Sequence, residues 1–468
     1  MEFAPSPLTL TQRRPLVAAL GEWLKRHGRL IRATQWVVVL CYAVLILVPA
    51  FLPLPDETAH VFTHLTVFAQ FVFWGIWWPF VLVSMVLVGR AWCGVLCPEG
   101  ALTEWASSKG LNRAIPRWMR WGGWPFVAFV GTTVYGQMVS VYQYPKAVLL
   151  VLGGSTLAAM AVGFVYGREK RVWCKYLCPV NGVFGLLSKL APLHYRVDAD
   201  AWRHSYDRTI RIQPINCAPL VAIRKLEGAS DCHMCGRCSG HRDAIALTPR
   251  SPNHEVVHLG GHLATGWQTL LILVGLLGIA LGAFQWTINP HLIEAKQWLA
   301  DWLIERDILW PFAENAPWWL LTNYPEQRDV FSWLDGGLLL TYLMGMGVVM
   351  GVGLSIPLAW STRLLGPWQK QRFYHLSQAL IPLAGVGVFL GLSALTVSLL
   401  KAEGIPLYWV NDARLALLIL ANLWSLSLFM GIAQRYTASR ATMVLSVLAA
   451  LPALALIDYA WALTFWLW

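Results

Sequence analysis

Nine long apolar stretches, over about 35–53, 67–88, 122–142, 147–166, 264–284, 336–359, 379–400, 415–433 and 443–467, constrain this chain more than any other feature. A helix needs about 20 consecutive apolar residues to cross hydrocarbon, where every backbone N–H and C=O must be satisfied within the segment. The stretches predict an all-α polytopic membrane protein of about nine transmembrane helices. Composition agrees, with 57% hydrophobic residues and 27 Trp, far from the usage of a soluble domain.

The formal net charge of +11 does not signal a polyanion. Lys and Arg collect in short segments between apolar runs, as membrane orientation requires, and no soluble segment interleaves a basic stripe with aromatics, which excludes nucleic acid as a partner. The first apolar run begins near Gln35, after Arg13, Arg14, Lys25, Arg26, Arg29 and Arg32, and carries no small-residue cleavage site. We expect a retained first helix and a cytoplasmic N-terminus in a bacterial inner membrane. Segments 90–121 and 167–260 are basic and belong on that same side, whereas 285–335 holds Glu294, Asp301, Glu305, Asp307, Glu314, Glu326, Asp329 and Asp335 against Lys296, Arg306 and Arg328 and belongs on the periplasmic side. Its seven Trp, from Trp286 to Trp333, suit an amphipathic helix at the membrane interface. A docking face for a basic partner is the lesser reading.

Within this frame one phrase is written twice. Trp92-Cys93-Gly94-Val95-Leu96-Cys97-Pro98 returns as Trp173-Cys174-Lys175-Tyr176-Leu177-Cys178-Pro179, each copy after a two-helix hairpin and the first cysteines 81 residues apart. The spacing makes the hairpins an approximate duplication that delivers two cysteine pairs to one membrane depth. Four regions result: a basic N-terminus over 1–34, duplicated hairpins over 35–191, a polar cytoplasmic segment over 192–262, and a C-terminal membrane block over 263–468. In the last, Gly345, Gly347, Gly351 and Gly353 have spacing suited to close helix packing.

The polar segment contains Cys232-His233-Met234-Cys235-Gly236-Arg237-Cys238, with Cys217 fifteen residues ahead and followed by Ala218-Pro219. Three thiolates at this spacing wrap three corners of a cubane, and a remote cysteine closes the fourth. Zinc prefers two pairs or pairs with histidine in a tetrahedron, so His233, His241 and His254 keep that alternative open. Cys93, Cys97, Cys174 and Cys178 supply four more thiolates, read either as one shared [4Fe-4S] cluster or as two incomplete sites. Location in basic, inward-facing segments argues against disulfides for all eight. Cys41, alone in the first apolar run, reads as a small core residue.

The paired phrases followed by a ferredoxin-like cysteine segment resemble the NapH/NosR/CcoG-type membrane polyferredoxins over roughly 35–260. The resemblance implies electron transfer through [4Fe-4S] clusters held by Cys93, Cys97, Cys174, Cys178, Cys217, Cys232, Cys235 and Cys238. Two departures stand out: no second set of ferredoxin cysteines is present, and a long C-terminal block is added. That extension resembles the polyferredoxin component of Ftr-type ferrous-iron uptake systems, which implies a periplasmic cupredoxin and a membrane permease as partners.

On the outer side His60 and His64 are four apart, a spacing that on a helix puts both on one face to ligate copper or haem or to touch a quinone; two histidines solvating a helix end is the competing reading. Gln70, Gln137 and Ser140 line a polar passage or make helix-to-helix hydrogen bonds. No residue reads as an acid–base catalyst. The sequence supports an electron carrier or oxidoreductase subunit between a periplasmic or membrane partner and the cytoplasmic side, with a quinone or haem relay across the membrane. Alternatives are a quinol dehydrogenase for a periplasmic reductase, a metal reductase or oxidase-assembly factor, and, from another class, a metal transporter with a cytoplasmic thiol sensor.

Overall fold

The structure is a computed structural model that describes residues 15–56, 58–206 and 213–468. Arg13 and Arg14 of the basic N-terminus lie outside the described residues. All nine apolar stretches fold as helix, and eight are long and apolar enough to span a bilayer: Gly28–Ala50, Leu65–Val88, Pro145–Tyr166, Gly266–Gln285, Trp333–Leu364, Lys370–Ala402, Val410–Gln434 and Arg440–Leu467. The stretch expected over 122–142 is shorter. It forms Trp124–Met138, 15 residues or about 22 Å, and stops where Ser140 takes a left-handed φ of 49°. The first helix starts at Gly28, earlier than hydropathy alone predicts, because Arg29 and Arg32 sit in its opening turns.

Compactness divides the chain into two units, one from the described residues of Met1–Ala43, Val81–Gly122 and Thr156–Glu255, the other from Val44–Phe80, Gly123–Ser155 and Val256–Trp468. The first unit is organised by the antiparallel strands Leu193–Val197 and Ile245–Pro249, paired from Leu193↔Pro249 to Val197↔Ile245. Their buried Tyr195, Ile245 and Leu247 join Trp202 and Met234 in a core against which Cys232 and Cys238 pack. Helix Pro15–Arg26 lies on this core rather than apart from it. A Cβ on Gly21 would meet Ser239 Oγ at 2.9 Å and Leu247 Cβ at 3.1 Å, and Lys25 Nζ donates to the Ser239 carbonyl at 2.7 Å.

Cys41 corrects an expectation. It is exposed on helix Gly28–Ala50 beside the equally exposed Val37, Leu40 and Val44. Lipid is as apolar as a protein core, so a small apolar side chain on the outside of a membrane helix carries no penalty.

In the second unit Trp333–Leu364 packs on 271–280 through glycine, with a Cβ on Gly278 only 2.8 Å from the Gly347 Cα. Gly347, Gly351 and Gly353 all face close neighbours, while Gly345 faces open space. The polar residues singled out in the sequence, Gln70, Gln137 and Ser140, make local hydrogen bonds. Gln70 donates to the Tyr142 carbonyl, Gln137 accepts from Trp286 Nε1 and the Ser140 hydroxyl bonds that of Thr322, at 2.6, 2.9 and 2.7 Å. Asp458 accepts from Asn422 at 2.8 Å.

Candidate iron–sulfur site

All eight clustered cysteines fall in the first unit. The two W-C-x-x-L-C-P copies fold alike at their ends, for the Cys97 N–H donates to the Trp92 carbonyl at 2.8 Å and the Cys178 N–H to the Trp173 carbonyl at 3.0 Å. In the first copy the backbone widens into a π-type turn over Trp92–Leu96, a local form common at functional sites. Cys97 then caps helix Pro98–Ser108, its sulfur accepting the Gly100 N–H at 3.4 Å with Pro98 in the first turn. A helix N-terminus carries partial positive charge, so it favours a thiolate there.

Cys97, Cys174 and Cys178 each feel Cys93 as a nearby like charge. Burial first, then Cys93 and Cys174, pushes the Cys97 thiol well up, and burial followed by Glu99 and the other three cysteines does the same to Cys178. Burial raises Cys174 to about 12 despite Arg171.

The other four, Cys217, Cys232, Cys235 and Cys238, line one cavity, together with Tyr195, Pro219, Val221 and Ile223. Met234 adopts a left-handed φ of 52° and turns its N–H onto Cys232 Sγ at 3.4 Å; Gly236 at φ 77° lets Leu24 of the N-terminal helix close over the loop. Burial raises Cys232 to about 12 and lifts Cys238 further.

The two sets touch. A Cβ on Gly94 would stand 1.9 Å from the His233 carbonyl oxygen and 3.0 Å from the Cys235 nitrogen, so only glycine permits this backbone approach. Glu104, six residues after Pro98, ties the sets by charge. It accepts from Arg171 Nε at 2.8 Å and from Arg237 Nη2 at 2.5 Å. Burial opposes its charge, yet the two guanidinium groups outweigh burial and hold its carboxyl below the ordinary range. The Arg171 N–H also donates to the Ala218 carbonyl at 2.7 Å, anchoring the Cys217 loop.

This donor set suits iron–sulfur clusters: two groups of four cysteines, N–H groups aimed at sulfur, and buried polar nitrogens, Arg90 Nε, Arg171 Nη2 and His233 Nδ1, without an acceptor among the described residues. Among those residues no three Cys, His, Asp or Glu converge closely enough to hold a single metal ion. His233 is held neutral by burial and then by Arg90, Arg171 and Lys175, while His241 stands edge-on to Trp202.

His60 and His64 do not share a helix face. His60 lies in the turn ahead of the helix with Nδ1 3.4 Å from Glu403, and His64 is the cap of Leu65–Gln70, its Nδ1 accepting the Thr66 N–H. The helix-end role has displaced the paired geometry.

The family described as 4Fe-4S binding domain matches residues 70–120 and 150–197, the two stretches that contain Cys93, Cys97, Cys174 and Cys178. Over these stretches the chain is similar to ferredoxin-type proteins. It is 27% identical over 177 residues to the ferredoxin-type protein NapH of Haemophilus influenzae, covering 34% of this chain and 61% of that protein. It is also 24% identical over 230 residues to YccM of Escherichia coli, a candidate electron transport protein, covering 43% of this chain and 62% of YccM. A third relative is the methylamine utilization ferredoxin-type protein MauN of Paracoccus denitrificans, 24% identical over 121 residues, or 24% of this chain and 43% of MauN. The chain thus spans less than two thirds of the length of each of these relatives. No solved structure matches it significantly.

Sequence reasoning found the clustered thiols but missed the roles of Gly94, Glu104, Arg90, Arg171 and Gln35, whose amide holds the Gly94 carbonyl at 3.0 Å. One signal was available. Aligning the two copies puts an arginine three residues before the first cysteine of each, Arg90 and Arg171.

Proposed function

We propose that the protein carries two [4Fe-4S] clusters, one on Cys93, Cys97, Cys174 and Cys178 and one on Cys217, Cys232, Cys235 and Cys238, and passes single electrons between them. The observation that carries this reading is the backbone contact of Gly94 with His233, which puts the two cysteine loops side by side. Each cluster supplies a one-electron store. The chain's own residues do the rest: the thiols bind, Leu24 and the strand core exclude water, and the Arg171–Glu104–Arg237 link fixes one loop against the other. Likeness to YccM and NapH supports electron transport as the class of activity.

The basic segments 90–121 and 167–260 support a cytoplasmic position for both sets in a bacterial inner membrane. The protein then exchanges electrons with a redox partner at the membrane or in the periplasm, and a far-side partner requires a carrier across about 30 Å of hydrocarbon, for which a quinone is the fitting class. Iron uptake beside a permease is one setting for such a module. Against metal transport as the main activity stands Asp458, an intramembrane carboxyl already paired with Asn422.

The reading is tested on full-length protein purified without oxygen. We expect broad iron–sulfur absorbance and about eight iron atoms per chain, falling to about four in Cys97→Ser and to about four in Cys235→Ser. Iron that stays at the unsubstituted level in either variant defeats the two-cluster assignment.

A further inference from the structure

The duplication extends one residue class beyond the cysteines. Arg90 and Arg171 occupy the same place in the two copies, and both are buried, at 3% and 1% exposure. A buried guanidinium costs several kcal/mol unless opposite charge and acceptors compensate it. Arg171 has Glu104, whereas Arg90 makes no ion pair among the described residues. Its partners are the Ser230 carbonyl at 2.8 Å, Asn181 Oδ1 at 2.7 Å and Cys93 Sγ at 3.9 Å. Both arginines converge on one residue, for Arg171 Nη1 donates to the Cys93 carbonyl at 2.5 Å. Arg90 Nε and Arg171 Nη2 are the nitrogens left without an acceptor among the described residues.

We propose that Arg90 and Arg171 are positioning residues that set the reduction potential of the cluster on Cys93, Cys97, Cys174 and Cys178. The inference rests on that cluster being present, as proposed above. Four thiolates make such a centre anionic, and accepting one electron adds a further negative charge in a dry environment. Two fixed positive charges stabilise the reduced form more than the oxidised one, and N–H donation toward sulfur acts in the same direction. Lys175, Lys170 and Arg237 are more exposed, so the buried pair dominates at Cys93, with the Arg171 charge offset in part by Glu104 and that of Arg90 by no carboxylate within ion-pair distance among the described residues.

The test is an anaerobic titration with dithionite as electron donor, followed by electron paramagnetic resonance of full-length protein. Arg90→Gln should make the one-electron reduction of one cluster at least tenfold less favourable, a fall of 59 mV or more, while the other midpoint stays. Arg90→Lys, which keeps the charge, should recover most of the shift. Asn181→Asp serves where Arg90→Gln loses iron, because it places a carboxylate against the guanidinium without changing side-chain size, and it should lower the same midpoint. Unchanged midpoints in the iron-replete variants, or a Lys variant that falls as far as the Gln variant, overturn the tuning role. A Cys97→Ser protein that retains both midpoints overturns instead the cluster assignment beneath it.

Discussion

At the scale of single residues, Gly94 decides whether the two cysteine loops meet. The atom that a methyl would strike is the backbone oxygen of His233, which has no rotamer to escape into. We predict that Gly94→Ala costs about 1–3 kcal/mol in stability and, by forcing the loops apart, leaves the protein with half its iron or less; an iron assay beside a thermal melt measures both, and a normal iron content refutes the first-order role of the contact. Glu104→Gln should act differently. It leaves Arg171 buried without its carboxylate, a loss of about 3 kcal/mol by the rule for broken buried pairs, visible as a lowered denaturant midpoint with the cysteines intact. The cysteines were legible because ligand spacing is a local property of sequence. Glu104 was not: its partners are 67 and 133 residues away, and nothing in the local sequence separates it from a solvated acid.

At the scale of elements, the short ladder of Leu193–Val197 with Ile245–Pro249 frames the second cysteine set, and it carries a proton-sensitive residue. Burial, then the Arg250 charge, lowers the His194 pKa from 6.5 to about 4, so the fold holds a neutral imidazole. Its contribution is complete above pH 6.5 and is lost as pH falls from there toward 4, by at most about 1.4 kcal/mol per unit. Melting curves at pH 7 and pH 5 should therefore converge in His194→Gln relative to the unsubstituted protein; an equal pH dependence in both would remove His194 from the account. The N-terminal helix offers another check. Gly21→Val should lift it from Ser239 and Leu247, and bleaching of iron–sulfur absorbance by a chelator should then accelerate several-fold. Hydropathy located the membrane helices, since their length is imposed by the bilayer. It overran Trp124–Met138, whose end is set by the turn at Ser140, and it saw helix Pro15–Arg26 only as basic charge because its partner surface is formed by residues beyond 190.

At the scale of the whole molecule, iron chemistry and membrane bulk are unevenly divided. Every clustered cysteine belongs to one compact unit and none to the other. Metal that binds only a folded site stabilises that site by mass action. Stripping iron should consequently lower one calorimetric transition and leave a second in place, and a single transition that moves as a whole would show that the units do not melt independently. The polytopic class was readable from the nine apolar stretches, but the unit boundaries were not. Three separate pieces of chain make up each unit, a pattern that periodicity cannot reveal.

That interleaving also dictates an order of events during biosynthesis. The ribosome delivers Cys93 and Cys97 first, Cys174 and Cys178 about 80 residues later, and Cys238 only after a further 60. Arg171 reaches Glu104 from one side and the Ala218 loop from the other, so neither thiol quartet has its final surroundings until residue 250 or so has emerged. Iron delivered earlier meets incomplete ligand sets. Cluster assembly of the kind proposed above would thus follow the synthesis of both hairpins, and a ribosome stalled between them would leave two thiols with nothing to share.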